Sequence, residues 1–354
     1  MKKQTLRLIA MFFATTFIVS CSSNSESGSI GDEKLAAEQN ASEENIIPVA
    51  SLENGLLING ATKKTGTPPA PNSNIDFTIG TDNGTGFQKS GIKIKFSATD
   101  DVKGAYIRFK DVDGNATTSY FDVPATSFGY RGTTKIKKEV LFHATEKSTE
   151  NRAITVNFKD VIPPGKFCYD ICIYDSANNV SQIETVCVTI ESWGGNAAMV
   201  GNWSLDRIEN TEDLEEIECT GGGKVSFYYE NEIISRDVVL SFKDNGAYND
   251  EVKTVSKHLN YSETVNTCSL VYEPEEREEF ARTGNWAFNE EEKELTIVMF
   301  KYDDLIDAQN SEEYEFGDSV FSGITLKEIT GSTMILEEEI GSGDKKITYY
   351  FKRI

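Results

Sequence analysis

Cysteine and histidine are the residues of this chain whose chemistry depends most on spacing. Cys168 and Cys172 lie four positions apart in an alternating stretch, so an extended strand places both side chains on one face, about 13 Å apart, too far to share a metal ion. The two histidines, His143 and His258, have no further ligand at metal spacing. The sequence therefore predicts no metal site and no cofactor. The later cysteines are odd in number and are predicted to form two disulfide bonds and leave one spare thiol: Cys168, Cys172, Cys187, Cys219 and Cys268.

Catalytic motifs are missing from the sequence as well. Its 57 Asp and Glu residues supply many carboxylates, but no spacing singles out two of them for one pocket, as general acid–base catalysis requires. Neither histidine belongs to a nucleophile motif such as G-x-S-x-G, and no glycine-rich phosphate loop joins a strand to a helix. The chain is therefore predicted not to be an enzyme.

The N-terminus carries a basic start followed by an apolar run from Leu8 to Val19, which ends at Ser20-Cys21. Twelve apolar residues span about 18 Å as a helix, whereas a bilayer core is about 30 Å thick, so the run is a secretory signal and not a membrane span. A small residue before cysteine resembles the lipobox of bacterial lipoproteins. This resemblance implies a signal peptide at 1–20, a lipid on Cys21 that binds the membrane, and an outer-membrane lipoprotein facing the cell surface or the periplasm.

Export also favours disulfide bonds, because they persist outside the cytoplasm. If residues 165–190 form a hairpin, Cys187 lies opposite Cys168 or Cys172, and a four-residue loop at 176–179 favours Cys168. A single β-bulge would change that partner. The C-terminal part has two cysteines, and these are predicted to form a bridge between Cys219 and Cys268; two buried thiols are the alternative.

Composition divides the chain into segments. Residues 21–74 are predicted to be a flexible tether, because they are small or polar up to about Asn45 and rich in proline at 67–71, although Leu56-Leu57-Ile58 could dock as an edge strand. Alternation with period two follows, as in Ile92, Ile94 and Phe96, and about seven strands in ~120 residues predict an immunoglobulin-like (Ig-like) sandwich over 75–192. The turn at 175–180 is similar to the last hairpin of bacterial Ig-like and fibronectin-type modules. Residues 193–198 are predicted to be a linker that acts as a hinge.

The segment from 199 to 354 is acidic and is again predicted to form strands. From Ala197 onward it holds 35 Asp/Glu against 15 Lys/Arg, which disfavours binding to nucleic acid. Strong turn signals such as Asp244-Asn245-Gly246 join roughly eight alternating stretches, and a meander of that size predicts a small up-and-down barrel. The predicted fold class is thus all-β: an Ig-like β-sandwich followed by a small up-and-down (lipocalin-like) β-barrel.

Several motifs in this segment resemble the lipocalin-like domains of Bacteroidetes lipoproteins: Val200-Gly201-Asn202-Trp203, the F-x-x-x-G-x-Y of Phe242, Gly246 and Tyr248, Gly284-Asn285-Trp286, and the closing Tyr350-Phe351-Lys352-Arg353. The resemblance implies that Trp203, next to Gly201, lies at the closed end of the barrel. It also implies that a basic residue of the last strand, such as Arg353, covers the indole ring.

Two functions remain after these exclusions. One is a lipid-anchored envelope protein whose barrel binds a small apolar ligand, because eight strands leave room either for filling side chains or for one small ligand. The alternative is a cell-surface interaction or adhesion protein that binds a protein or glycan, with the barrel purely structural. Six residues are the candidates either to line a ligand site or simply to fill the barrel: Trp286, Phe288, Ile297, Leu326, Leu336 and Tyr349.

Overall fold

The structure, a computed structural model, describes residues 38–39, 41–73, 75–80, 84–98, 101–130, 142, 152–210, 215–227, 231–317, 320–340 and 345–354. It confirms the all-β class, with a two-sheet sandwich followed by a closed, eight-stranded antiparallel barrel. Cys21, with the predicted signal peptide and its lipid, and His143 lie outside the described residues. Among the helices that the structure describes, none is long and apolar enough to cross a membrane.

The elements of the sandwich follow one another along the first half of the chain. After helical residues at 41–43, they are α1 (Val49–Gly55), β1 (Leu56–Leu57), β2 (Thr62–Thr65), β3 (Phe77–Ile79), β4 (Thr85–Phe87), β5 (Ile92–Ala98), β6 (Val102–Lys110), β7 (Ser119–Pro124), a 3-10 turn (Ala125–Ser127), β8 (Gly129–Tyr130), β9 (Arg152–Phe158), β10 (Gly165–Asp175) and β11 (Glu184–Glu191).

These strands form two sheets that share one core. The first has the order β1-β9-β5-β3, with β8 also paired to β9, and the second has the order β2-β7-β6-β10-β11-β4. The alternation seen in the sequence is the alternation of their buried faces: in β5, Ile92, Ile94 and Phe96 are buried while Lys93 is exposed. Across the core, Phe158 of β9 in the first sheet contacts Phe167 of β10 in the second, with ring centres 6.1 Å apart.

The predicted tether is wrong for residues 46–65, which belong to the sandwich. Ile47, Leu52, Leu56 and Ile58 are buried in its core. The strand β1 pairs with β9, and β2 pairs with β7. Four large apolar residues within twelve positions bury enough area to offset the ordering of a short helix and two edge strands, although polar residues surround them in the sequence.

The elements of the barrel occupy the second half of the chain. After a 3-10 turn (Ala197–Met199), they are β12 (Gly201–Asn210), β13 (Glu215–Glu218), β14 (Lys224–Phe227), β15 (Asn231–Phe242), β16 (Ala247–His258), α2 (Tyr261–Thr267), β17 (Glu276–Asn289), β18 (Glu294–Asp304), a 3-10 turn (Ala308–Asn310), β19 (Glu312–Glu313), β20 (Val320–Ile329), β21 (Thr333–Ile340) and β22 (Lys345–Arg353).

Eight of these strands close the barrel in chain order: β12, β15, β16, β17, β18, β20, β21 and β22. Every neighbouring pair is antiparallel, and β22 pairs with β12 to complete the ring, so the predicted up-and-down order is confirmed. The hairpin of β13 and β14 stands apart as its own two-stranded sheet. Because β22 pairs with β12, the described barrel wall has no long exposed strand edge.

Candidate functional site

The structure contains both predicted disulfide bonds. Cys168 and Cys187 face each other across β10 and β11, and Cys219 joins Cys268. The loop that set the first pairing is one residue longer than expected, since Tyr174 bridges to Val180 and leaves five residues between them, but the chain returns to the predicted register before the cysteines. The spare cysteine, Cys172, is buried as a thiol, and burial raises its pKa to about 11. A thiol with that pKa is protonated at neutral pH and is therefore a poor nucleophile.

The closed end of the barrel has the geometry that the sequence motifs implied. Trp203 is fully buried, and its indole N–H donates to the carbonyl of Met199 at 2.7 Å. The guanidinium carbon of Arg353 lies 4.4 Å from the centre of the indole ring. The same guanidinium donates to the carbonyls of Val200 at 2.8 Å and Ala198 at 2.6 Å. This arrangement closes one mouth of the barrel and satisfies the backbone of the 3-10 turn that enters it.

The six candidate residues for an apolar ligand all belong to one packed core inside the barrel. Trp286, Phe288, Ile297, Leu336 and Tyr349 each expose 1% or less of their surface. A side chain that lined a void large enough for a ligand would keep accessible surface toward that void. The packing therefore favours the alternative in which these residues fill the barrel, and the apolar-ligand hypothesis stays a prediction.

A side chain from the sandwich module completes this core. Phe142, which lies between β8 and β9 in the sequence, is buried against Tyr349 of β22 with ring centres 5.2 Å apart. This contact could not be predicted from the sequence, because Phe142 is far from the barrel along the chain and stands in a stretch without alternation. The barrel interior thus takes in an aromatic group from outside its own strands.

A buried polar network in the barrel was also missed from the sequence. Arg282 of β17 donates to Asp250 of β16 through Nε and Nη2, and Tyr248 donates to the same carboxylate at 2.7 Å. Both members of the ion pair are almost completely buried. Nearby in the core, Tyr349 donates to the buried Glu338, and burial together with that carboxylate raises the pKa of Tyr349. The spacing of charged residues in alternating strands does not distinguish an inward residue from an outward one when the register is unknown.

The predicted linker is a junction packed against both modules, and its role as a hinge stays a prediction. The N–H of Gly194 donates to Trp286 at 2.7 Å, and its carbonyl accepts from Phe288 at 2.8 Å, which adds the linker to the edge of β17. Trp193 stacks on Phe87 of the sandwich at 5.9 Å. A Cβ at Gly246 would lie 2.2 Å from Trp193, so only glycine lets the barrel hairpin approach this closely. Trp193 therefore contacts both modules.

The same junction contains an acidic cluster. Glu43 accepts a hydrogen bond from the N–H of Ser192 at 2.8 Å. Burial raises the pKa of the adjacent Glu191 to about 7, and the carboxylates of Glu43, Glu294 and Glu292 raise it further in the same direction. Within the described part of the chain, no group of three or more His, Cys, Asp or Glu side chains could hold a metal ion.

A recess lies between the sandwich and the wall of the barrel. It is a cleft of about 490 Å³. The sandwich contributes the end of β9 and the turn before β5, and the barrel contributes the middle of β17, the middle of β18 and the segment that follows β19. We name it the inter-module cleft, and it is lined by Lys89, Phe158, Lys159, Asp160, Thr283, Gly284, Asn285, Phe300, Tyr314, Glu315 and Phe316.

The lining of the inter-module cleft combines aromatic rings with hydrogen-bonding groups. Phe300, Tyr314 and Phe316 are half-buried, so part of each ring stays accessible. Lys89 has a backbone φ of +62°, a conformation that is unfavourable for lysine and that often occurs at binding sites. A volume of this size accommodates one or two sugar rings or a molecule of similar size. Sequence reasoning missed the cleft because its two walls are more than 100 residues apart in the chain.

No protein-family model matches the chain, and no curated protein matches it. The resemblances to Ig-like and lipocalin-like modules therefore stay predictions.

Proposed function

We propose that the chain is a non-catalytic envelope lipoprotein that binds a glycan in the inter-module cleft. The observation that carries the proposal is the cleft itself, whose volume is about 490 Å³ and whose lining alternates exposed aromatic surface with amide, hydroxyl and charged groups. The C–H faces of a sugar ring pack on aromatic rings, while its hydroxyls bind polar side chains. The filled core of the barrel supports the same choice, because it favours a structural role for the barrel.

The location is proposed on the N-terminal sequence. A lipid on Cys21 would anchor the protein to the outer membrane, at the cell surface or on the periplasmic face, and two disulfide bonds accord with export. In this proposal an Ig-like sandwich and a lipocalin-like barrel are presented together. We expect Cys21→Ser to abolish lipid labelling in cells; membrane association that is unchanged in this variant would contradict the anchor.

The glycan is tested with the full-length protein in detergent on a glycan microarray, followed by titration calorimetry with the best soluble oligosaccharide. We expect Tyr314→Ala and Phe316→Ala each to weaken binding about tenfold, because each removes one face against which a sugar ring packs. Tyr350→Ala, on the far wall of the barrel, is the matched control and is expected to leave binding unchanged. Two results would contradict the proposal: binding by all three variants that equals that of the wild type, or no glycan bound on the array.

The apolar-ligand hypothesis has a separate readout. Native mass spectrometry of the protein purified from its own cells would reveal a retained apolar molecule. If this molecule is lost only when residues of the barrel core are altered, the barrel interior is the ligand site and the inter-module cleft is not.

A further inference from the structure

The end of the barrel opposite Trp203 has an unusual surface. Ile233, Ile234, Tyr261, Leu270, Leu305 and Ile306 are each between 39% and 58% exposed there, and we name these six residues the apolar rim. The other large apolar residues that are exposed in the described chain are scattered over the sandwich and the C-terminus. Single exposed apolar residues are ordinary, whereas a concentration of them at one place marks an interaction site.

Strand pairing shows that the apolar rim forms a continuous arc. Ile233 on β15 lies opposite Ser256 on β16, which in turn lies opposite Glu276 on β17. Tyr261 and Leu270 belong to the connection between β16 and β17. Leu305, just after β18, donates its backbone N–H to Glu279 of β17. The arc therefore follows four successive strands, which is half of the barrel mouth.

Local structure holds these side chains outward. A β-bulge between Ile233 and Ser235 leaves Ile234 as the extra, unpaired residue. The carboxylate of Asp304 accepts the N–H groups of Ile306 and Asp307, both at 2.9 Å, which fixes the turn that carries Leu305 and Ile306. Because these exposed positions are built into bonded turns, little conformational entropy is lost when a partner covers them.

A disulfide bond fixes the rest of the arc. The Cys219–Cys268 bond attaches the β13–β14 hairpin to the connection that holds Tyr261 and Leu270. The backbone N–H of Thr220 also donates to Val265, and Phe227 packs edge-on against Tyr261. The hairpin and the connection thus form one cross-linked unit at the apolar rim.

The charge around the apolar rim identifies its partner. Residues 257–279 and 301–315, which carry most of the arc, contain twelve Asp and Glu residues against three Lys and Arg. Such a field repels anionic lipid and a second copy of the same acidic surface, and it attracts a cationic surface. We propose that the apolar rim docks a basic polypeptide segment with an apolar face, such as a Lys/Arg-rich amphipathic helix.

The probe is a synthetic amphipathic helix of leucine and lysine, titrated against the full-length protein. Its controls are a lysine/serine peptide of the same length and charge and a leucine/glutamate peptide. We expect the leucine/lysine helix to bind with an affinity that falls as salt is raised, and both control peptides to bind at least about tenfold more weakly.

Two rim variants locate the binding surface. The double variant Leu305→Ser/Ile306→Ser and the single variant Ile234→Ser change no charge and replace only exposed side chains. We expect the double variant to weaken binding of the leucine/lysine helix about tenfold and the single variant to weaken it about threefold. Ile183→Ser, an equally exposed apolar residue of the sandwich, is the matched control and is expected to bind like the wild type.

Three results would overturn the proposal. The first is equal binding of the leucine/lysine helix by the wild type and by both rim variants. The second is equal affinity for the lysine/serine peptide, which would reduce the interaction to charge alone. The third is a sedimentation experiment that shows a homodimer lost in the Leu305→Ser/Ile306→Ser variant, because the apolar rim would then bind a second copy of the chain.

Discussion

At the scale of single residues, Trp203 and Arg353 show how one contact can close a barrel. The indole fills the closed mouth from inside, and the guanidinium covers it from outside while it binds two carbonyls of the preceding turn. Gly201 permits this packing, since a Cβ there would lie 2.7 Å from the guanidinium of Arg353. This contact was predicted only through the resemblance to lipocalin-like domains, because residue spacing alone does not show that an indole and a guanidinium will stack.

We expect Arg353→Gln to lower the free energy of unfolding by ~2 kcal/mol, because it removes a cation–π contact and two hydrogen bonds to backbone carbonyls. Urea unfolding followed by tryptophan fluorescence measures the change. The neighbouring Lys352, which pairs with Asp206 at an exposed position, provides the control: Lys352→Gln is expected to cost less than ~0.5 kcal/mol. Equal losses in the two variants would refute a special role for Arg353.

The buried pair of Arg282 and Asp250 leads to a second prediction. Arg282→Met is expected to cost ~3–5 kcal/mol, because it leaves a carboxylate charged and unpaired inside the barrel. The double variant Asp250→Leu/Arg282→Met is expected to recover at least half of that loss, since both charges of the pair are then removed. Urea unfolding of the two variants tests this, and a double variant less stable than the single one would contradict it.

At the scale of elements, most strands could be predicted from the sequence, but several short strands could not. Alternation identified β5, β15 and β22, because the apolar residues at every second position of each strand are buried. The strand β1 lies where the sequence allowed Leu56-Leu57-Ile58 to dock as an edge strand, whereas β2 escaped prediction, because its four residues are all exposed and show no period. The β13–β14 hairpin escaped for another reason: its residues face no barrel core, so its position depends on a disulfide bond rather than on alternation.

The Cys219–Cys268 bond is expected to stabilise the barrel considerably. It joins residues 49 positions apart, and the constraint that such a loop puts on the unfolded chain corresponds to ~4 kcal/mol. We expect Cys219→Ser/Cys268→Ser to lower stability by roughly that amount and to make residues 215–227 the first site of limited proteolysis. Retained protease resistance of the hairpin in this variant would show that its other contacts suffice.

At the scale of the whole molecule, the two modules are joined by a packed surface, which the sequence did not indicate. The inter-module cleft, the stacking of Trp193 on Phe87 and the entry of Phe142 into the barrel all bring together residues distant in the chain. Periodicity reports only how each strand faces its own core. The arrangement of one module on the other is therefore invisible to it.

The acidic cluster at the junction makes stability depend on pH. Glu191 has a folded-state pKa of about 7, above the 4.5 of an unperturbed glutamate, so the folded protein holds this proton more tightly than the unfolded chain does. The free energy of unfolding should fall as pH rises from about 4.5 to about 7 and stay level above that range.

Glu191→Gln removes this dependence, and we expect it to raise the free energy of unfolding at pH 8 by ~2 kcal/mol while changing little at pH 5. Urea unfolding at both pH values measures the effect. Glu216→Gln, on the exposed β13–β14 hairpin, serves as the control. The same gain at pH 5 and pH 8 would show that Glu191 is not protonated in the folded protein.

The path of the chain into the junction has a mechanical consequence. Gln39 and Ser42 bond to Ser192, and Ile47 bonds to Lys166, so the N-terminal chain meets the folded molecule beside the boundary between its modules. Tension on that chain would be delivered to the middle of the molecule instead of to one of its ends. A force that a partner applies at the apolar rim would then rotate the barrel about the junction. The contacts of Trp193 and Gly194 would resist this rotation.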